Sequence, residues 1–317
     1  MAATAPALVT GAAGFAGRHL LELLSAEGPV VGWHRPDTVP SDMAGVTWTE
    51  IDLLDRPAVL RRLRDLGPSL VYHLAGVTHV GDSWAKAEET LEVNVAGTIN
   101  LFDALRDAGL RCRVVVTGSA TVYRPSTEAL TEDSPIGPNT PYGTSKLAQE
   151  LVALRAWRDD AIPVVVTRSF NHIGPYQSAA FAAPAFARQL ARIEAGFAPP
   201  TIRVGNLDAR RDLTDVRDTV RAYRALALAG RPGVCYNVCS GRAVSMQEVL
   251  DGLRAQIDVP VAVEIDPARM RPADTPIVLG DPSRLAADTG WRCEHTTEDA
   301  LASVVGFWRT QVRLEGP

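Results

Sequence analysis

The stretch Ala7-Leu-Val-Thr-Gly11-Ala-Ala-Gly14-Phe-Ala-Gly17 constrains this 317-residue chain more than any other. A short apolar run passes through three closely spaced glycines into an amphipathic segment, the order strand, tight turn, helix. The glycines permit the turn, a near approach of backbone to a pyrophosphate, and packing of helix on strand. The amino terminus of the helix then faces the anion. Gly11, Ala13, Gly14, Phe15 and Ala16 are therefore candidate dinucleotide-binding residues.

The alternation continues beyond the motif. Apolar runs predict strands at Ala7–Thr10, Val30–Trp33, Val46–Ile51, Leu70–Leu74, Arg113–Thr117 and Pro163–Arg168. Helical patterns fall between them near Gly17–Ala26, Pro57–Leu66, Leu91–Ala108 and Tyr142–Arg158. This order predicts an α/β fold, a Rossmann-like doubly wound parallel sheet that binds ligands at the carboxyl ends of its strands. After Arg168 prolines and glycines become frequent, strands are short, and helices are predicted at Ala183–Ala195, Asp215–Ala229, Ser245–Gln256 and Thr297–Val312. The chain thus reads as a dinucleotide-binding domain over 1–168 and a smaller, mainly substrate-binding α/β part over 169–317. Segments such as Tyr236–Cys239 are expected to return to the first part.

A net charge of −5 supplies no overall basic field, which argues against a nucleic-acid partner. No apolar run approaches the ~20 residues of a membrane span. The apolar Ala2–Val9 lacks a basic start and reads as the first strand. Cys112, Cys235, Cys239 and Cys293 have neither metal nor disulfide spacing, which fits a reducing cytoplasm and no bound metal.

Tyr142-Gly-Thr-Ser-Lys146 places a phenol and an ammonium on one helix face. A cation near a phenol favours the phenolate, so Lys146 is expected to lower the pKa of Tyr142 and ready it for proton exchange. The second strand ends Gly32-Trp33-His34-Arg35, where an acidic residue would suit the ribose hydroxyls of NAD. Arg35 suits a 2′-phosphate instead, so NADP (as NADPH) is expected, with NAD the alternative because Asp37 lies close.

With these motifs in place, the chain resembles the extended short-chain dehydrogenase/reductase family acting on nucleotide sugars, over nearly its full length. Further pieces carry the likeness: Ile51-Asp52-Leu53, His73-Leu74-Ala75-Gly76, Asn94-Val-Ala-Gly-Thr98, Gly118-Ser119-Ala-Thr-Val-Tyr123 and Phe170-Asn171-His172-Ile173-Gly174-Pro175. The resemblance implies that Ser119 bonds the reacting oxygen, Tyr142 exchanges the proton and Lys146 holds the nicotinamide ribose. It also assigns Asp52, Leu53, Leu74, Ala75, Gly76, Asn94, Thr117, Phe170, Asn171 and His172 to the cofactor.

Dehydratase relatives carry acidic side chains just after the position of Ser119, whereas Ala120, Thr121 and Val122 cannot ionise. Within the family the chain is most like the GDP-4-keto-6-deoxymannose reductases, through Val204-Gly-Asn-Leu207, Arg211-Asp-Leu-Thr-Asp-Val-Arg-Asp218, Tyr236-Asn-Val-Cys-Ser-Gly241 and Met270-Arg-Pro272. It departs from them at Arg124 and at Tyr176, which stands in a turn that usually contains glycine. The resemblance implies NADPH-dependent reduction of the C4 ketone of a GDP-4-keto-6-deoxyhexose to a GDP-6-deoxyhexose such as GDP-rhamnose. Ser83, Ala120, Asn171, Arg188, Val204, Arg211 and Arg271, with Ser119 and Tyr142, would meet the sugar nucleotide. A 4-epimerase retaining NAD uses the same serine, tyrosine and lysine and stays open, as does a nucleotide-sensing module without catalysis. A homodimer paired through Leu91–Ala108 and Tyr142–Arg158 is a further implication.

Overall fold

A computed structural model describes residues 5–38, 40, 42–78, 81–270 and 275–317. Arg271 therefore lies outside the described residues. The first part runs β1 (Ala7–Thr10), α1 (Phe15–Ser25), β2 (Val30–His34), β3 (Val46–Glu50), α2 (Arg56–Leu66) and β4 (Leu70–His73). Then come α3 (Ala87–Leu91), α4 (Gly97–Asp107), β5 (Arg113–Ser119), α5 (Pro141–Asp160) and β6 (Val164–Ser169). The helix predicted over Leu91–Ala108 is interrupted: a π-helical turn, Glu92–Ala96, joins α3 to α4. A π turn leaves no trace in apolar spacing over so few residues.

The remainder runs β7 (Asn171–Ile173), α6 (Ala182–Glu194), β8 (Thr201–Val204), β9 (Arg210–Asp215), α7 (Val216–Ala229), β10 (Cys235–Val238) and β11 (Ala243–Ser245). It ends with α8 (Met246–Arg254), β12 (Ala262–Ile265), β13 (Ile277–Val278), α9 (Ser283–Thr289) and α10 (Thr297–Glu315).

Seven strands form one parallel sheet in the order β3-β2-β1-β4-β5-β6-β10. Successive side chains along a strand point to opposite faces, so Leu8 and Val9, or Val114 and Val115, serve two different cores. Val9, Val115 and Val165 pack with Leu20 and Leu21 of α1, Val220 and Leu226 of α7, and Leu285 of α9. Leu8, Val114, Val116 and Val164 pack with Val59 and Leu63 of α2, Leu101 and Phe102 of α4, and Ala153 and Ala156 of α5. Burial on both faces explains why these strands read as unbroken apolar runs.

A third core lies in the C-terminal part, where α6, α8 and α10 enclose Leu190, Ile202, Val204, Leu250, Val304 and Val305. Its strands are short. β9 pairs with β7 and β13 in parallel and with β11 antiparallel, while β8 pairs with β12. β10 leaves this part and pairs with β6 at the sheet edge.

Candidate active site

The carboxyl ends of the parallel strands open on a cleft of about 1360 Å³, lined from both parts of the chain. Its floor is the glycine turn. Gly11 has φ +67°, and a Cβ there would sit 2.7 Å from the backbone of Ala75. A Cβ on Gly17 would strike the Gly11 carbonyl, so helix and turn close only without side chains. Gly14 caps α1 with no side-chain hydrogen bond, and the first turn carries no acid, so the helix amino terminus suits an anion. These features fit a dinucleotide pyrophosphate. Gly11, Ala13, Gly14, Phe15, Ala16, Asp52, Leu53, Leu74, Ala75, Gly76, Thr117, Phe170, Asn171 and His172 all line the cleft. Arg35 lines it too, 63% exposed and paired with Asp37 at 3.2 Å.

α5 carries the reactive pair into the cleft. Thr140 caps it by accepting from the Gly143 N–H at 2.9 Å, and Pro141 supplies the first-turn φ. Tyr142 and Lys146 then sit one turn apart, buried, beside Ser119 at the end of β5. Ser119 Oγ accepts from the Thr121 N–H at 3.2 Å and from the Thr121 hydroxyl at 2.9 Å. The Ser119 hydroxyl lies within reach of the Tyr142 oxygen. Lys146 Nζ donates to the Thr117 carbonyl at 2.6 Å and to Gln149 Oε1 at 2.5 Å.

This geometry corrects the expected electrostatics of the pair. Burial pushes the Tyr142 phenol up to about 12, against the lesser pull of the Ser119 hydrogen bond. Burial also draws the Lys146 ammonium down to about 7. Sharing a helix face brings the groups near each other, but desolvation outweighs their attraction and the ammonium is bonded elsewhere. Tyr142 is thus a neutral phenol that holds a proton to give.

Phe15 and His172 stack with ring centroids 5.6 Å apart, and burial lowers the His172 pKa. Tyr176 has φ 70°, the left-handed conformation that explains why a glycine suits this turn. Its ring is held under the Arg18 guanidinium, 3.7 Å from the centroid, and against Phe307 at 4.7 Å.

Four expected contacts lie elsewhere. Asn94 is fully buried behind the cleft wall: Oδ1 accepts from the Val77 N–H at 2.8 Å, and Nδ2 donates to the Val77 carbonyl and to Ser145 Oγ. It shapes the loop after β4 and does not line the cleft. Ser83 is also buried, its Oγ accepting from the Tyr142 N–H at 3.3 Å, so it braces the start of α5. Val204 belongs to the third core. Arg188 turns to α10, pairing with Glu315 at 2.8 Å and lying over Trp308. Ala120 and Arg211 do line the cleft, Arg211 with Nη1 bonded to the Thr275 carbonyl at 2.8 Å. Gln149 was missed, although its position three residues after Lys146 places it on the same helix face. Arg124, marked in the sequence only as a departure from the relatives, lines the cleft too, as do Gln177 and Ile277, which no signal in the sequence marks.

The sequence model of the family described as GDP-mannose 4,6 dehydratase matches residues 8–304. A curated relative, GDP-6-deoxy-D-mannose reductase of Pseudomonas aeruginosa, is 35% identical over 316 residues, covering 97% of this chain and 98% of the relative. Among solved structures, RMD from Pseudomonas aeruginosa complexed with NADPH aligns with a TM-score of 0.85 at 33% identity, over 98% of this chain and 100% of that one. A Burkholderia cenocepacia protein provisionally described as an epimerase aligns with a TM-score of 0.87 at 35% identity, over 97% and 99%. The chain belongs to the GDP-mannose 4,6-dehydratase family of extended short-chain dehydrogenases/reductases.

Proposed function

We propose that this protein is an NADPH-dependent 4-ketoreductase acting on a GDP-4-keto-6-deoxyhexose, with a GDP-6-deoxyhexose such as GDP-rhamnose as product. The observation that carries the reading is the buried Tyr142 phenol beside Ser119 and Lys146 in one cleft, where residues 120–122 supply no acid or base for dehydration. The Pseudomonas reductase at 35% identity supports the same substrate class.

When bound, the nicotinamide supplies the hydride for C4. Tyr142 gives its proton to the ketone oxygen, and Ser119 turns its hydroxyl to the same oxygen as charge develops. Lys146 would hold the nicotinamide ribose and steady the tyrosinate left behind. Arg35 would hold the 2′-phosphate of a bound NADPH, and Asp52 and Leu53 would meet its adenine. Arg211 meets the substrate diphosphate, whose oxygens match a guanidinium fork. Residues 1–168 serve mainly the cofactor and 169–317 mainly the substrate.

Ile99 and Leu151 are 38% and 59% exposed on α4 and α5, and we assign them to a homodimer contact. Among the described residues no helix is long and apolar enough to cross a membrane, and all four cysteines are free, which supports a cytoplasmic enzyme.

Purified protein given NADPH and GDP-4-keto-6-deoxymannose is expected to consume the reduced nicotinamide stoichiometrically with the ketone. The Burkholderia relative favours a second reading, a 4-epimerase. Copurifying NAD with redox-neutral interconversion of C4 epimers, and no net NADPH oxidation, would establish it in place of the first.

A further inference from the structure

Lys146 ion-pairs with no carboxylate among the described residues, and its amine is buried. What it has instead is two neutral acceptors, the Thr117 carbonyl and Gln149 Oε1. A side-chain amide can present either end, so the second acceptor is dependable only if the amide is held.

The holding follows from proton accounting. Gln149 Nε2 donates to Thr98 Oγ1 at 2.9 Å. The single Thr98 hydroxyl proton is committed to the Asn94 carbonyl at 2.7 Å, so Thr98 Oγ1 can only accept from its other neighbours. One of these is His73 Nε2 at 2.9 Å, which must therefore carry the ring proton. His73 Nδ1 then accepts from the Thr10 hydroxyl at 2.8 Å, and Thr10 Oγ1 accepts from the Ala75 N–H at 3.2 Å. Each proton in this chain has one consistent place. Reversing the Gln149 amide would set an N–H₂ against the Lys146 ammonium and would satisfy its carbonyl only by taking the Thr98 proton from the Asn94 carbonyl.

We infer that Gln149 is a positioning residue for Lys146, with its amide locked by Thr98 and His73 so that an acceptor always faces the ammonium. The link to catalysis rests on the ketoreductase reading; the effect on the amine itself does not. Two acceptors favour the charged amine that burial opposes. The titratable groups that face Lys146 are Tyr142 on its own helix and His73 on β4. Around them, Glu150 and Arg168 of β6 are paired with each other, and Tyr223 of α7 is bonded to Ser169. Asp103 and Arg106 of α4 pair with each other, and Asp82, Glu88, Glu89 and Glu92 on the α3 side are exposed.

The chain has two lysines, Lys86 and Lys146, so the amine can be observed directly. In cofactor-free protein carrying 13C-labelled lysine, a Lys86→Arg variant assigns the two signals and a pH titration reads the Lys146 midpoint. Gln149→Leu removes an acceptor and is expected to lower that midpoint by about one unit, a tenfold shift in the protonation equilibrium. Gln149→Glu supplies a carboxylate, to which Thr98 can turn its proton, and is expected to raise the midpoint by a similar amount. Thr98→Val unlocks the amide and lowers it by less. In turnover, the alkaline fall in kcat should follow each midpoint. Midpoints that stay fixed, or move the same way in both Gln149 variants, would overturn the inference. Opposite shifts with no consumption of the GDP-keto sugar would leave it standing and reject the ketoreductase reading.

Discussion

The inner strands of the seven-stranded sheet are tied on both sides by backbone ladders, whereas beyond Asn171 the segments following β10 and β13 are gathered on one buried carboxylate, that of Asp212 on β9. Asp212 accepts from the Ser240 N–H and hydroxyl at 2.7 and 2.6 Å, from the Gly241 N–H at 2.9 Å and from the Gly280 N–H at 3.3 Å. Asp218 repeats the device, accepting from the Glu294 and His295 N–H groups at 3.0 and 2.9 Å. Repeated weak bonds and apolar layers hold the first part. The second has an apolar core of its own, and single polar pins gather its loops. On the proposed division of labour, cofactor geometry would rest mainly on backbone ladders, and substrate geometry would depend more on individual polar pins.

The largest expected effect separates the two parts by their kinetics. Tyr142→Phe removes the proton donor and is expected to reduce kcat by about 10²–10⁴-fold, with little change in NADPH affinity by titration. Arg211→Ala is expected to act in the opposite manner, raising KM for the GDP-sugar by about 10–100-fold, the value of one charge-assisted contact, while kcat holds. If Arg211→Ala lowered kcat alone, the division of labour would fail.

Stability tests the same contrast. Asp212→Ala removes the shared acceptor of four donors, of which the Gly280 N–H is buried and the Ser240 hydroxyl keeps the Arg242 carbonyl. At about 1–3 kcal/mol for each donor that water cannot reach, a loss on the order of 3 kcal/mol is expected in urea unfolding. Val115→Ala, in the sheet core, is expected to cost about 2 kcal/mol, from lost transfer energy and a small cavity. Equal losses would show that the C-terminal pins carry no special weight.

The sheet also holds a pH-dependent element. Burial holds the His73 imidazole neutral down to about pH 3, whereas an unfolded histidine takes up its proton near ~6.5. Between these values the unfolded chain binds the extra proton, so stability falls as pH is lowered, by about 2 kcal/mol from pH 7 to pH 5. Denaturation midpoints across that range should show the slope, and His73→Asn should flatten it. The smallest effect concerns Tyr176. Alanine there keeps the left-handed strain and glycine does not, so Tyr176→Gly is expected to be about 1 kcal/mol more stable than Tyr176→Ala.

What the sequence disclosed follows the same division. Strands buried on both faces leave long apolar runs, and the first six were read to within two residues at either end. β7, β9, β11 and β13 have two to six residues and partners far along the chain, which no local pattern announces. The serine, tyrosine and lysine that the resemblance grouped do line one cleft. The resemblance also assigned Arg188 and Val204 to the ligand, because matching positions along a chain do not say which way a side chain faces. Arg188 turns away because Glu315, 127 residues later, comes to meet it. The direction of the Tyr142 pKa was lost for a related reason: spacing reports proximity, and burial appears only with the fold.

The π-helical turn at Glu92–Ala96 has an outcome that reaches past this molecule. An α-helix turns about 100° per residue, so one added residue rotates all that follows by that angle relative to what came before. The stretch from Ala87 to Asp107 therefore aims Asn94 at the loop after β4 while Leu101, Phe102 and Leu105 stay on the sheet. Deleting one residue there would restore a regular helix and change which side chains stand behind the ligand, leaving every strand in register. For a fold that serves many sugars, that turn is a dial: a single codon gained or lost reshapes the wall of the site without rebuilding the core beneath it.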